Sequence, residues 1–274
     1  MIGAIAGDII GSRFEWHNIR TTNFNLFSKR SHFTDDSVMT LATAQYLLDD
    51  KKSNYTDMYR GYGNFYPHRG YGGMFAEWLK TDDPKPYNSF GNGSAMRVSP
   101  VAYYSESLYE VLEEAKKSAE VTHNHPEGIK GAQAIAAAIF LARNGESKEV
   151  IKKYIEQAFE YDLSRSIEQL REEFTGFDVT CQGSVPHAII AFLNSTDFET
   201  AIRLAIYLGG DSDTIACMAG SIAEAFYKEI PFSIAKGVLD RLDEPSRKTL
   251  VEFYQKYNIK TTYPRTKSTK STLL

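Results

Sequence analysis

Two widely separated acidic motifs hold the residues best suited to chemistry: Phe33-Thr34-Asp35-Asp36-Ser37 and Gly209-Gly210-Asp211-Ser212-Asp213-Thr214. Each places two carboxylates and a threonine hydroxyl at the mouth of a predicted helix. Thr34, Asp35, Asp36, Asp211, Asp213 and Thr214 are all hard oxygen donors. Such a set suits Mg²⁺ or Mn²⁺ and does not suit zinc. If the fold brings the motifs together, they describe a two-metal enzyme acting on an oxygen-rich substrate.

Helix capping accounts for either motif taken alone, since Asp, Ser and Thr are preferred N-caps and acids favour a first turn. Two details favour chemistry. Each motif carries more acids than a cap needs, and crowded carboxylates repel unless a cation neutralises them. Gly209 and Gly210 also let the backbone turn sharply before the second motif. A calcium EF-hand fits poorly: with Asp211 as position 1, position 12 is Ile222, where that loop needs glutamate.

The elements that must position these groups read as helices. Ile215, Met218, Ala219, Ile222, Ala223 and Phe226 follow one helix face. The segment 131–142 is apolar nearly all round, which predicts a helix buried mid-protein. Further helices are expected near 3–11, 37–49, 54–66, 73–80, 94–104, 107–120, 147–159, 164–174, 185–194, 197–207, 232–242 and 246–257. The best alternating, strand-like stretch, 178–185, is short and interrupted by Gly183. The fold class is therefore all-α: a compact single-domain bundle of about a dozen helices over 1–260, with a Thr-, Ser- and Lys-rich tail at 261–274.

Composition narrows the function classes. The chain has 274 residues, 42% hydrophobic, enough for one large core, and a net charge of −4, which argues against dedicated nucleic-acid binding. Two cysteines, Cys181 and Cys217, are no disulfide scaffold. With no signal-peptide pattern and no membrane-length apolar run, a cytoplasmic protein is expected. P-loop, His-Glu-x-x-His and Gly-x-Ser-x-Gly motifs are absent. The loops 61–73, 88–97 and 122–128 carry the glycines, aromatics and histidines typical of binding loops. Gly91-Asn92-Gly93-Ser94 can cradle phosphate with backbone N–H groups, or be an ordinary turn. His123 and His125 read equally as turn chemistry, Glu15 as a solvated carboxylate, and Phe65, Tyr66 and Tyr71 as packing.

Taken in order, these segments resemble the ADP-ribosylglycohydrolase family. The resemblance runs through Gly7-Asp8-Ile9-Ile10-Gly11 with Glu15, Phe33 to Ser37, Arg69-Gly70-Tyr71-Gly72-Gly73, Gly91 to Arg97, Thr122 to Gly128, Ser184-Val185-Pro186 and Leu208 to Ala216. It covers about residues 1 to 260. The resemblance implies a compact helical domain with two divalent cations, Mg²⁺ or Mn²⁺. Thr34, Asp35 and Asp36 would hold one ion; Asp211, Asp213 and Thr214 the other, with Asp213 bridging. Glu15 or Asp35 would serve as the catalytic carboxylate. Tyr71, Gly72, Gly73, Gly91, Asn92, Gly93, Ser94, Met96 and His123 would contact substrate. Ser37 stands where threonine is common, and Arg13-Phe14 where a proline is common before Glu15.

The implied reaction is hydrolysis of the glycosidic bond between ADP-ribose and a modified protein side chain, such as arginine or serine, or a small molecule. A monomer is expected, with no membrane partner. The loops near 13–32 and 61–70 would face the leaving group. A non-catalytic ADP-ribose-binding or structural protein is the main alternative, and a magnesium phosphoesterase a third. Loss of acidic ligands would mark the former; release of phosphate from simple esters would mark the latter.

Overall fold

The computed structural model describes residues 1–173 and 176–260. The tail expected at 261–274 lies outside the described residues. The chain forms, in order, α1 (Ile2–Gly11), α2 (Asp35–Leu48), α3 (Tyr55–Phe65), α4 (Gly73–Lys80), α5 (Gly93–Met96), α6 (Leu108–Glu120), α7 (Pro126–Arg143), α8 (Lys148–Phe159), α9 (Ile167–Glu172), α10 (Cys181–Leu193), α11 (Phe198–Leu208), α12 (Ser212–Tyr227), α13 (Phe232–Leu239) and α14 (Glu244–Lys256). No strand occurs among the described residues, so the all-α expectation holds.

Three local expectations change. The helix expected over 94–104 splits into α5 and a 3₁₀ turn, Ser99–Tyr103. Pro100 lacks the N–H that would continue the helix to the Met96 carbonyl. That carbonyl instead accepts from Thr40 Oγ1 at 3.3 Å and Cys217 Sγ at 3.4 Å. The strand-like segment 178–185 makes one isolated bridge, Thr180 to Gly91, then becomes α10. Thr180 caps that helix by accepting from the Gly183 N–H at 3.0 Å.

The third change concerns the centre. Helix α7 is largely buried, as 131–142 implied, but α12 and α1 occupy the middle together. Every residue of α1 is buried, and so is every residue of α12 from Ser212 to Ala225. The face predicted from Ile215 is thus part of a helix covered on all sides, by α1, α7, α10 and α11. Gly3, Gly7 and Gly11 form a ridge without side chains along α1. A Cβ on Gly7 would sit 2.0 Å from the Ala216 carbonyl oxygen, and one on Gly11 would sit 2.4 Å from Asp213 Cα. The two helices therefore touch backbone to backbone, which sets Asp8 of α1 beside the start of α12. Gly7→Ala is expected to destabilise the fold by about 3 kcal/mol or more, the upper range for overpacking where backbone must move. An unchanged urea midpoint would contradict this packing.

Candidate functional site

The start of α2 separates capping from surplus acid. Thr34 is the cap, its hydroxyl accepting from the Asp36 N–H at 3.4 Å. Asp35 and Asp36 follow in the first turn, not needed for that role. At α12 the N-cap residue Asp211 makes no side-chain cap bond at all. Its Oδ2 accepts from Asn92 Nδ2 at 2.7 Å, and the same amide donates to Ser184 Oγ at 3.0 Å. Capping therefore does not explain the second motif.

Asp8, a lone carboxylate on an otherwise apolar helix, ties the first motif to the core. It accepts from Thr34 N at 2.9 Å, Thr34 Oγ1 at 2.7 Å and Ser37 N at 3.0 Å, and from the Ser37 hydroxyl. Ser37, outside the ligand set implied by the resemblance, thus anchors Asp8. Thr214 Oγ1 donates to Asp36 Oδ2 at 3.2 Å and joins the two motifs directly.

Carboxylate oxygens converge in two trios, each within 4.8 Å: Asp8, Asp36 and Asp213, and Glu15, Asp211 and Asp213. Asp213 belongs to both. Asp35 belongs to neither among the described residues, though it lines the same cavity. No described lysine or arginine forms an ion pair with any of these six acids. Asp36 Oδ1 is buried without a hydrogen-bond partner. Burial first, then the neighbouring carboxylates, hold Asp35, Asp36 and Asp213 well above the usual carboxylate range. Glu15 is pushed up to about 7, by burial, then by Asp211 and Asp8; contact with the Trp16 side chain works in the opposite direction.

Glu15 sits on the loop after α1, which Asn18 fastens to the second motif. Asn18 Nδ2 donates to the Gly210 carbonyl at 3.0 Å, and Gly210 N–H donates to Asn18 Oδ1 at 2.9 Å. Gly209 and Gly210 adopt φ of +83° and +76°, conformations that favour glycine. On the opposite side, Asp35 N–H donates to the Arg69 carbonyl at 2.8 Å and Arg69 Nη1 donates to the Phe33 carbonyl at 3.1 Å. These bonds bring the glycine loop 70–73 to the first motif.

The result is one cavity of about 650 Å³, a size suited to a small-molecule ligand. Glu15, Asp35, Asp36, Asp211, Asp213 and Thr214 line it, and so do Tyr71, Gly72, Gly73, Gly91, Asn92, Gly93, Met96 and His123. Two residues of the expected set are placed otherwise. Thr34 lies beneath, with its hydroxyl on Asp8. Ser94 turns its hydroxyl to the Gly128 carbonyl at 2.7 Å. The phosphate-cradle expectation also narrows. Gly91 N–H donates to Ser89 Oγ and Asn92 N–H to the Val179 carbonyl, which leaves Gly93 and Ser94 N–H without a partner among the described residues. Tyr71 commits its hydroxyl to the Tyr66 carbonyl at 2.9 Å, so it offers the cavity a ring.

His123 is kept neutral: burial, then the nearby Arg97 guanidinium, hold it well below the usual histidine range. Its Nδ1 is 2.7 Å from Thr122 Oγ1, and that oxygen accepts from Arg97 Nη2 at 2.9 Å. Nε2 faces the Gly93 turn, 3.0 Å from where a Cβ would stand.

Sequence reasoning missed Asp8, Ser37 and Asn18 as parts of this site. Asp8 had a signal, an acid inside an apolar helix, which is costly unless paired or hydrogen-bonded. Asn18 had none.

Similarities to known proteins bear on the assembly. The ADP-ribosylglycohydrolase family model matches residues 1–262. The human protein named ADP-ribosylhydrolase ARH3 is 30% identical, covering 83% of this chain and 84% of its own. A Pseudomonas putida (strain GB-1) protein named ADP-ribosylarginine hydrolase Tri1 is 28% identical, covering 83% of this chain and 69% of its own. A solved structure described as an ADP-ribosylglycohydrolase-related protein complex superposes with a TM-score of 0.65 and 23% identity over 95% of each chain, a likeness of fold.

Proposed function

The chain belongs to the ADP-ribosylglycohydrolase family and is a hydrolase of glycosidic bonds, and from that premise we propose that it cleaves ADP-ribose from a modified acceptor in a reaction dependent on two divalent cations. The observation that carries this reading is the convergence of both acidic motifs and Glu15 on one cavity. The unit that performs it spans residues 1–260.

The residues present fit hard cations. Six carboxylates gather in one place with no ion-pair partner among the described residues, and Asp36 Oδ1 lacks any hydrogen bond, so the group calls for added positive charge. Asp36, Asp213 and Thr214 would hold one ion against the first motif, and Asp211 and Asp213 a second, with Glu15 beside it. When bound, such ions polarise sugar hydroxyls and offset charge that develops in the transition state. Asn92 holds Asp211 in place for this, and Asp8 holds α2.

In the proposed reaction the bond from the anomeric carbon to the acceptor breaks, and a bond to a water oxygen forms. The water loses one proton and the acceptor gains one, giving ADP-ribose and the free acceptor. Glu15 takes the water proton: it is a half-buried carboxylate at the cavity wall, beside Asp211. Asp35, on the same wall, is the other carboxyl available for that role. The N–H of Gly93 and, with the Thr122 hydroxyl donating to Nδ1, the Nε2–H of His123 offer donors for the diphosphate, so that remote binding energy aids the reacting centre.

Incubation with ADP-ribosyl-arginine and ADP-ribosyl-serine peptides, with Mg²⁺ or Mn²⁺ and with EDTA, tests this reading. Free ADP-ribose is expected from at least one peptide with metal and not with EDTA. Tight binding of ADP-ribose without release from any substrate would make the protein a binder. Phosphate release from simple esters would make it a phosphoesterase.

A further inference from the structure

Two loops meet over the cavity mouth, one after α1 and one before α10. They bring Trp16 and Phe177 into a stack, with ring centroids 4.6 Å apart and planes 19° from parallel. Both rings line the cavity. Yet Trp16 remains 70% and Phe177 43% exposed. Core packing does not account for large rings kept this far in water; exposed apolar surface at a cleft marks a binding face.

Acidic groups share the cavity with the pair. Glu15, next to Trp16 in the chain, lines the cavity with Asp211, and the exposed Asp178 follows Phe177, its Oδ1 accepting from the Thr180 N–H at 2.8 Å. Asp178 lies near enough to Asp211 to act on it electrostatically. Among the described residues that line the cavity, Arg97 alone is a lysine or arginine, and it is buried at the floor with its Nη2 on Ser118 and Thr122. The mouth is therefore aromatic and negative.

We propose that the Trp16–Phe177 stack is the acceptor subsite and takes the guanidinium of an ADP-ribosylated arginine. This rests on the glycohydrolase reading and names its leaving group. A guanidinium is planar, cationic and weakly hydrated, and it stacks on an aromatic face by cation–π attraction. Flanking carboxylates complement its charge. A serine acceptor presents neither plane nor charge. A nucleobase would also stack, but it carries no full positive charge for the carboxylates beside the rings to complement. The position fits the role: Trp16 follows Glu15 in the chain, both line the cavity, and the ring is exposed where a bulky acceptor can enter.

The test compares kcat/KM for arginine-linked and serine-linked ADP-ribosyl peptides and for ADP-ribosylated thymine in single-stranded DNA. It uses the wild type, Trp16→Ala, Phe177→Ala and Trp16→Phe, with affinity for free ADP-ribose as the control for folding. The wild type is expected to prefer arginine. The arginine-to-serine ratio should fall about 3- to 30-fold in each alanine variant, the range of a cation–π contact. Trp16→Phe should restore most of it. A ratio unchanged in both alanine variants overturns the proposal, as does a wild type that prefers the serine or DNA substrate. Release from serine alone leaves the glycohydrolase reading standing, whereas no release from any substrate overturns both.

Discussion

Asp213→Asn is expected to lower ADP-ribose release on the order of 10³-fold, about 4 kcal/mol of transition-state stabilisation, while leaving the fold intact or slightly more stable. Asp213 is the one carboxylate common to both oxygen trios, so its loss weakens both proposed cation positions at once. Asparagine keeps the Oδ1 that accepts from the Thr214 N–H at 3.0 Å, so the local backbone is retained. Removing one charge from a buried, mutually repelling group relieves strain, which is why stability should not fall. Asp35→Asn gives the contrast. Sequence order makes Asp35 and Asp36 equal candidates, but Asp35 stands outside both trios. Its amide variant should lose less activity than Asp213→Asn. Release rates in saturating Mg²⁺, with urea midpoints for both variants, check this. Full activity in Asp213→Asn would sink the metal assignment.

The acidic motifs were legible because they break a rule: too many like charges sit at helix starts that need only one oxygen each. The helices were legible because apolar residues spaced like Ile215, Met218 and Ile222 share a face only when the backbone is helical. What stayed hidden depends on contacts between distant segments. Nothing local shows that Asn18 would fasten Glu15 to Gly210, or that the Asn92 amide would hold Asp211. The glycines of α1 read locally as weak helix formers. Their purpose appears only once α12 lies within backbone contact of them. Ser94 shows the opposite error: a hydroxyl in a glycine-rich turn invites a binding role, yet the fold turns it inward to Gly128. The aromatic stack at the mouth was equally invisible, because Trp16 and Phe177 come from loops with no shared pattern.

Metal removal should make stability fall as pH rises, and cation should reverse this. Asp35, Asp36 and Asp213 have carboxyls raised well above their ordinary value in the folded chain, chiefly by burial, and Glu15 is raised to about 7. In the unfolded chain the same groups lose their protons near about 4. From about pH 4 upward, through about 7 for Glu15 and higher for the aspartates, the folded metal-free protein binds more protons than the unfolded one. Stability in that window must decline with pH. EDTA-treated protein is therefore expected to melt at a lower temperature at about pH 8 than at about pH 5.5. Bound cation favours the ionised carboxylates, so added Mg²⁺ or Mn²⁺ should raise the melting temperature most at the higher pH. At a free concentration about 100 times Kd the stabilisation is about 2.7 kcal/mol, or roughly 5–10 °C for a chain of this size. Differential scanning calorimetry at the two pH values reads both effects. A metal-free protein that melts higher at the alkaline pH, with no response to either cation, would mean that these four acids are not held as a buried cation site.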